Sequence, residues 1–430
     1  MTHVGAQVSP RFRWIAVGIL LLTQTLFFCL LLHRPIAIEG DADRYEQGGW
    51  NIAQARGYSL PLQGYGGTND PEVYGWVCGR HPEACSDDTT HPVAIYLPGY
   101  SAFVAGVYRV FGRSLLALCL SHLVLLWGMF VTFEQLAAHL LRRTAYVCAV
   151  AAAATYPFLA QQATRLMSDH LHAVLWLGAF AVFACMRAGV ARGFFFGFLI
   201  ASATLVRPYG LLVFPMLWLL ALLWRPVRLA RTEWVAGVIA FILPFAIWTA
   251  RNAYWYGRFL PMTTGGAGAL LYQSSLEWDV DLSNPENGQR WYEETARKYG
   301  EIVSRRASQL QTDEALRRIR AHPWKFAERV LIHVPRLWIS MASRYWPASV
   351  LYLGGLLALG LSGAWMVRRD ARFYPLLFGI GLYWVFLLPL PGEARRTLPL
   401  RLPMLILAAV AAEAIVERRR AAPEPIEPGN

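Results

Sequence analysis

Long apolar runs alternate with short polar clusters along this chain, and the spacing is that of a helical bundle crossing a membrane. A helix needs about 20 apolar residues to span the hydrocarbon core. Runs at 14–32, 114–136, 143–162, 168–187, 193–206, 209–224, 234–252, 348–367, 372–390 and 398–416 approach or meet that length, which predicts about ten spans. Lipid offers no partner to an unpaired backbone group, so helix is the expected conformation. A barrel would show alternating segments of about ten residues. Stretches such as Trp14 to Leu32 do not alternate. The expected fold class is an all-α polytopic membrane protein. The first run has an apolar core of about 19 residues, longer than a signal-peptide core. The residues that follow, His33-Arg34-Pro35, offer no small-residue cleavage site, so this run is expected to be a retained span.

The polar connections carry a second pattern. Arg11 and Arg13, Arg142 and Arg143, Arg187 and Arg192, the trio Arg225, Arg228 and Arg231, then Arg368, Arg369 and Arg372, and finally Arg418 to Arg420 fall on alternate connections. With ten spans they all lie on one side, as the excess of positive charge on cytoplasmic loops requires. Both termini are then cytoplasmic. The other side receives two long extracytoplasmic loops, 33–113 and 253–347, and short connections containing Arg165, Arg207-Pro208 and Glu393-Ala-Arg395-Arg396. Three loop segments read as amphipathic helices lying along the membrane surface. They are Asp41 to Arg56 ending at Gly57, Pro98 to Phe111 ending at Gly112, and Thr312 to Arg344 interrupted at Pro323 and Pro335. Gly64-Tyr-Gly-Gly-Thr and Thr263-Thr-Gly-Gly-Ala-Gly are turn-rich. The chain reads as a single transmembrane domain, 1–420, followed by a disordered tail, 421–430, with Pro423, Pro425 and Pro428. No internal repeat is evident.

Composition sharpens this picture. Only 16% of the residues are charged and 56% are hydrophobic, against about a quarter charged in soluble domains. The net charge of +12 is spread over many loops. A nucleic-acid binder would concentrate it in one stripe. Cys29, Cys119, Cys148 and Cys185 fall in apolar runs and read as packing residues. Cys78 and Cys85 share one polar loop, where a disulfide and two free thiols both remain open.

The candidate chemistry gathers at span ends. Gly40-Asp41-Ala42-Asp43-Arg44-Tyr45 opens the first loop. A partly desolvated carboxylate there is a better base. On a helix, Asp41 and Tyr45 share a face and Arg44 stands beside them. The plainer alternative is that Asp41 and Asp43 only charge a helix N-terminus. Asp41-x-Asp43 also matches the loose pattern that holds a divalent metal under a sugar nucleotide. Nucleotide sugars are cytoplasmic, so the nucleotide reading is set aside, and metal assistance stays open. Asp169 lies at the outer start of a span within Met167-Ser-Asp-His-Leu-His172. An ionisable residue at that depth is costly and points to function, the alternative being a helix-capping acid with two interfacial histidines. Arg207-Pro208, Arg251-Asn252, Arg395, Arg396 and Arg401 stand at outer span ends. Arg suits phosphate, with interfacial anchoring as the alternative.

In this order the pieces resemble the GT-C superfamily of membrane glycosyltransferases, in the branch of protein O-mannosyltransferase and lipid A aminoarabinose transferase. The resemblance runs through Asp41-Ala-Asp-Arg-Tyr45, Asn51-Ile-Ala-Gln-Ala-Arg-Gly-Tyr-Ser59, Leu97-Pro-Gly-Tyr-Ser-Ala-Phe103, and Tyr108-Arg-Val-Phe-Gly112. It continues through Leu166-Met-Ser-Asp-His-Leu171, Thr204-Leu-Val-Arg-Pro208, Ala250-Arg-Asn-Ala-Tyr254, His322-Pro-Trp324 and Arg396-Thr-Leu-Pro-Leu-Arg-Leu-Pro403. The resemblance implies a polyprenyl-phosphate sugar as donor, Asp41 as catalytic base, Arg44 and Tyr45 beside it, and Asp169 as a second acid. Asp43, Arg207, Arg251, Arg395 and Arg396 complete the expected substrate-binding set. Two departures stand out. Tyr96-Leu97-Pro98 occupies the place where the family carries a basic residue and two prolines, so that phosphate ligand is missing, with His91 or Arg44 as the compensating groups. The hydrophilic domain that many relatives carry after the last span is also absent.

The expected function is an inverting glycosyltransferase of the inner (plasma) membrane. It would move a sugar from polyprenyl phosphate to an extracytoplasmic lipid, glycan or protein, with no cofactor beyond the open question of a divalent metal. The alternatives are a lipid-linked-sugar flippase or transporter and a structural subunit of an envelope-polymer assembly. Transport places polar groups at the midplane of broken helices, whereas here the charges gather at outer ends.

Overall fold

The computed structural model describes residues 8–32, 36, 38, 41–60, 71–82, 91–211, 215–216, 230–263, 267–277, 279–280, 285–299, 305–338, 346–391 and 394–421. The described helices are α1 (Pro10–Leu31), α2 (Asp41–Ala53), α3 (Pro71–Arg80), α4 (Gly99–Phe111), α5 (Leu115–Leu140), α6 (Arg143–Ala154), α7 (Phe158–Ala163), α8 (Ser168–Cys185) and α9 (Val190–Val206). They continue as α10 (Arg231–Tyr256), α11 (Ala267–Leu276), α12 (Pro285–Tyr299), α13 (Arg305–Ala321), α14 (Pro323–Trp338), α15 (Trp346–Met366), α16 (Tyr374–Leu387) and α17 (Leu398–Ala421). Two short strands, β1 (Ser59–Leu60) and β2 (His91–Pro92), pair antiparallel, with Ser59 opposite Pro92.

Five helices are long and apolar enough to cross a membrane: α1, α5, α8, α10 and the stretch 395–420 that contains α17. Shorter apolar helices stand at Arg143–Ala154, Val190–Val206, Val350–Met366 and Ala371–Leu387. The expected span at 209–224 falls mostly outside the described residues. The expected span at 143–162 is broken into α6 and α7. Pro157 has no N–H to give and disfavours helix at the residue before it. Tyr156 leaves the helix there, and its hydroxyl accepts a hydrogen bond from Arg401 Nη1 at 3.1 Å. The outward faces of the bundle are apolar: Leu22, Leu30, Ile247 and Leu351 are 66–78% exposed. Such a belt needs an apolar surround.

Small residues set the closest helix contacts. A Cβ on Gly193 or Gly197 of α9 would stand 2.1 Å from the carbonyl oxygen of Glu233 or Gly237 on α10. This is close backbone packing through a small-xxx-small face. At one end of the bundle, Arg13 of α1 forms a bidentate pair with Glu134 of α5 at 2.7 and 2.9 Å, and Tyr146 of α6 donates to the same carboxylate at 2.8 Å. Arg192 of α9 pairs with Glu233 of α10 at that same end. The opposite end is built from the C-termini of α1, α9 and α10 and the N-termini of α5, α8 and α17.

Two polar connections fold over that opposite end. Helix α2 lies on α4 so closely that a Cβ on Gly49 would meet Val104 Cβ and Cγ1 at 2.6 Å. Gly57 (φ +72°) and Gly112 (φ +73°) follow α2 and α4 in a backbone conformation that favours glycine, as expected. The β1–β2 pair and helices α3, α11 and α12 were not expected. Pro323 opens α14 after α13 ends, as expected, but Pro335 lies inside α14 and does not interrupt it. Arg329 of α14 pins this second connection to the bundle. It bonds Glu277 at 2.8 Å and the carbonyls of Leu388 and Leu390 at 2.8 and 2.5 Å. Cys29, Cys119, Cys148 and Cys185 are free. Cys78 is disulfide-bonded, and its expected partner, Cys85, lies outside the described residues. The turn-rich segment 64–68, the turn residues 264–266, and the tail from 422 onward also lie outside them.

Candidate active site

Asp41 is the first residue of α2, where the helix dipole favours a carboxylate. Its Oδ1 accepts a hydrogen bond from the Tyr96 hydroxyl at 3.1 Å, which leaves Oδ2 for other work. One turn on, Tyr45 is 6% exposed and packs against Tyr96 and Tyr100 at ring separations of 5.2 and 5.3 Å. Burial pushes the Tyr45 phenol up to about 12, against the pull of the Arg207 guanidinium and with help from Asp41 and Asp169. Burial, and then the Asp41 charge, push the Tyr96 phenol up as well. Both phenols therefore keep their protons at neutral pH, and Tyr96 stays a donor to Asp41.

Asp169 enters from the other side, in the first turn of α8, with 4% of its surface exposed. Its Oδ2 accepts from Arg207 Nη2 at 2.6 Å and lies 4.0 Å from Arg395 Nη1. Arg207 sits just past the end of α9, where Pro208 stops the helix. The Tyr45 hydroxyl is within electrostatic reach of Arg207, Asp41 and Asp169 together, so two loop residues and two span-end residues gather in one cluster. The Nε of Arg207 is buried with no hydrogen-bond partner. Arg44, one residue before Tyr45, is only 7% exposed and acts on the Tyr96 phenol with its charge. It makes no hydrogen bond or ion pair among the described residues. A buried guanidinium without a partner is costly, and the cost is recovered when an anion arrives.

The other expected site residues stand elsewhere. Asp43 accepts from Gln47 at 2.8 Å and its charge reaches Arg113 rather than Arg207. Arg113 is in turn held by Glu46 at 2.8 Å. Arg251 spends its donors on structure: the carbonyls of Val93 and Tyr58 at 3.0 and 2.8 Å, and Asn252 Oδ1 at 2.9 Å. It thereby clamps the β1–β2 segments to the end of α10. Arg396 is buried one layer from Asp169, and its carbonyl accepts from Tyr383 at 3.3 Å. His91 stacks edge-on against Tyr74 at 5.0 Å. His170 and His172 are buried at 0% and 1% and are not interfacial.

The donor set does not fit a divalent cation. Among the described residues no three His, Cys, Asp or Glu side chains come together. Asp169 is already ion-paired, and His172 has the Ala203 carbonyl at 2.8 Å and the Tyr383 hydroxyl at 3.2 Å. Tyr96 was passed over in the sequence because it stands where a basic group was sought. The Tyr100–His122 pair was missed too, although a histidine inside the apolar run at 114–136 was a visible signal.

A helical bundle with polar connections folded over one end, and a charged chamber where they meet, defines a class. The fold is shared with solved structures of a membrane oligosaccharyltransferase. The chain is similar to the oligosaccharyltransferase AglB of Archaeoglobus fulgidus. A structure of that enzyme tethered with an acceptor peptide matches over 95% of this chain and 50% of that one, with TM-score 0.56 and 14% identity. Another, in complex with an inhibitory peptide and a dolichol-phosphate, matches over 97% and 53%, with TM-score 0.52 and 13% identity. The chain thus spans about half the length of the oligosaccharyltransferase it matches. ArnT from Cupriavidus metallidurans bound to undecaprenyl phosphate aligns over 95% of this chain and 79% of that one at 14% identity, but its TM-score of 0.36 is too low to argue from. No family model matches the sequence, and no curated protein matches it.

Proposed function

We propose that this chain is an inverting glycosyltransferase that takes a sugar from a polyprenyl-phosphate carrier and passes it to an acceptor on the extracytoplasmic side of the membrane. The observation that carries the reading is the chamber itself. A carboxylate held by a phenol, a second carboxylate held by a guanidinium, and a buried guanidinium with no partner among the described residues meet at the end of a membrane bundle. That is the place where a lipid's phosphate reaches out of the hydrocarbon. The AglB structure that contains a dolichol-phosphate supports this class of donor. The Arg-rich connections gather at the opposite end of the bundle, which by the positive-inside rule supports an outward-facing site.

In the proposed reaction an acceptor hydroxyl or amine attacks the anomeric carbon from the face opposite the phosphate. The new bond forms to carbon as the bond from carbon to phosphate oxygen breaks, and the phosphate leaves with the electron pair. Asp41 Oδ2 takes the acceptor proton. Tyr96 fixes the carboxylate through Oδ1. Arg44 and Arg207 bind the phosphate more strongly as its charge grows, which lowers the barrier. Asp169 orients Arg207. Of the other residues expected to bind substrate, Arg395 comes to 4.0 Å from Asp169, and Arg396 acts with Asp169 and Arg207 on the Tyr383 hydroxyl.

The test uses purified protein in detergent with a radiolabelled sugar on polyprenyl phosphate. Release of free polyprenyl phosphate and transfer of label are expected for the wild type. Asp41→Asn is expected to lower transfer by at least 100-fold while leaving the thermal transition in place. An Asp41→Asn protein that turns over at the wild-type rate removes Asp41 from the mechanism. A wild type that moves the lipid across vesicles but never cleaves it is a flippase.

A further inference from the structure

We infer that Tyr100 and His122 are positioning residues: they hold the turn before α8 in a left-handed conformation and so aim Asp169 at Arg207. The inference rests on the transferase reading above and names a part of its machinery.

The turn is unusual at one residue. Leu166 has φ +52°, and only Ala55 shares a positive φ among the described non-glycine residues. A leucine in that region is strained by contact of its Cβ with the backbone. Leu166 is also 1% exposed, so its side chain is locked in the core while its backbone is bent the wrong way. Three residues later the chain delivers Asp169. The residue before α8, Met167, gives the helix no side-chain cap, so the direction of the first turn comes from the backbone that precedes it.

A buried hydrogen-bond chain holds that backbone. The Tyr100 hydroxyl donates to the Leu166 carbonyl at 2.6 Å. A carbonyl only accepts, so the single phenol proton is committed there. His122 Nε2, 2.7 Å from the same hydroxyl, must therefore be the protonated nitrogen and donate to the phenol oxygen. Tyr100 is 1% exposed and His122 0%, so neither group has water as an alternative partner. The chain runs from α5 through α4 to the turn, tying three elements to one strained carbonyl. Strain that persists beside a site is held by surroundings that over-determine it. The Tyr100 ring also packs on Tyr45, which faces Asp41 and Asp169. The same side chain thus touches both halves of the chamber.

Tyr100→Phe removes the donor and keeps the ring. It is expected to lower kcat about tenfold, as misaimed groups do, with KM for the lipid donor within about twofold. The second variant is Tyr100→Phe combined with Leu166→Gly. Glycine adopts positive φ without strain, so the turn no longer needs the clamp. The double variant is expected to regain most of the lost kcat even though it is less stable for want of the leucine. A merely structural role predicts the reverse, a double variant worse in both respects. A double variant slower than Tyr100→Phe, or a Tyr100→Phe protein at the wild-type rate, overturns the inference. Amide exchange read by mass spectrometry separates this from the transferase reading. In Tyr100→Phe, exchange is expected to rise in the 164–170 segment and stay unchanged in 132–140. Unchanged exchange at 164–170 sinks the clamp whatever the transfer result. Raised exchange in a protein whose wild type transfers no sugar sinks the transferase reading and leaves the clamp standing.

Discussion

Substituting Gly49 with alanine should damage turnover far more than stability. The added Cβ would stand 2.6 Å from Val104 Cβ and Cγ1 and 2.9 Å from the Ser101 carbonyl oxygen. Carbon atoms rest at about 3.5–4.0 Å, so α2 and α4 must part by about 1 Å. Overpacking of this kind costs about 1–3 kcal/mol. Alanine returns about 0.5–1 kcal/mol of that, because it loses less backbone freedom in a helix than glycine. The net loss is then about 0–2.5 kcal/mol, a small shift in the thermal transition. The site is affected differently. Asp41, Arg44 and Tyr45 all ride on α2, and Ser101 Oγ of α4 holds the Tyr45 carbonyl at 3.0 Å. A shift of about 1 Å in reacting groups costs about 100-fold in rate. The assay is sugar transfer from labelled polyprenyl phosphate in detergent, read beside the thermal transition of the same sample. Gly106→Ala is the control. It lies on α4 with nothing within 4 Å of its new Cβ, so it should leave turnover unchanged and raise stability slightly. A Gly49→Ala enzyme near the wild-type rate, or one whose loss only tracks its unfolded fraction, would refute the placement of α2 as the bearer of the site.

Two more substitutions separate binding from scaffolding. Arg44→Gln should raise KM for the lipid donor by about tenfold or more, because a charge-assisted bond to phosphate is lost. It should also stabilise the ligand-free protein by about 1–2 kcal/mol, since a buried cation without a partner is relieved; denaturation without lipid reads the sign, and a less stable variant contradicts the assignment. Arg251→Met should lower stability by about 2–4 kcal/mol, as the carbonyls of Val93 and Tyr58 lose their donors, while KM for the donor moves little. A large rise in KM with an unchanged thermal transition would return Arg251 to the binding set.

The parts of the fold legible in the sequence are those that lipid dictates. A backbone in hydrocarbon has one local solution, so apolar length alone located α1, α5, α8, α10 and α17. Asp41 and Asp169 stood out in the sequence for a related reason, since a carboxylate at a span end is costly. The rest turned on contacts between distant segments. Arg207 and Arg251 look alike in sequence, each an arginine at an outer span end. One meets a carboxylate of α8 and the other meets the carbonyls of a two-residue strand pair that no periodicity announces. Asp41 and Asp43 are separated by about 200° of helical rotation, which sends one to Tyr96 and the other to Gln47. Pro157 and Pro335 carried the same warning, yet only the first breaks its helix.

The two ends of the bundle differ in how their buried charges are held, and under the proposed function that difference bears on where the reaction sits. At the Arg13 end the buried carboxylates of Glu134 and Glu233 are each held by an arginine, Arg13 and Arg192. Among the described residues at the other end, Arg207 pairs with Asp169, Arg395 comes to 4.0 Å from the same carboxylate, and Arg44 lies near Asp41 and Tyr96. Guanidiniums gathered in a partly dry place favour an anion. A sugar phosphodiester supplies one negative charge as substrate and a second as the phosphate leaves. In the proposed reaction the site's hold on the phosphate would therefore grow along the reaction rather than at the start, which is what transition-state stabilisation requires.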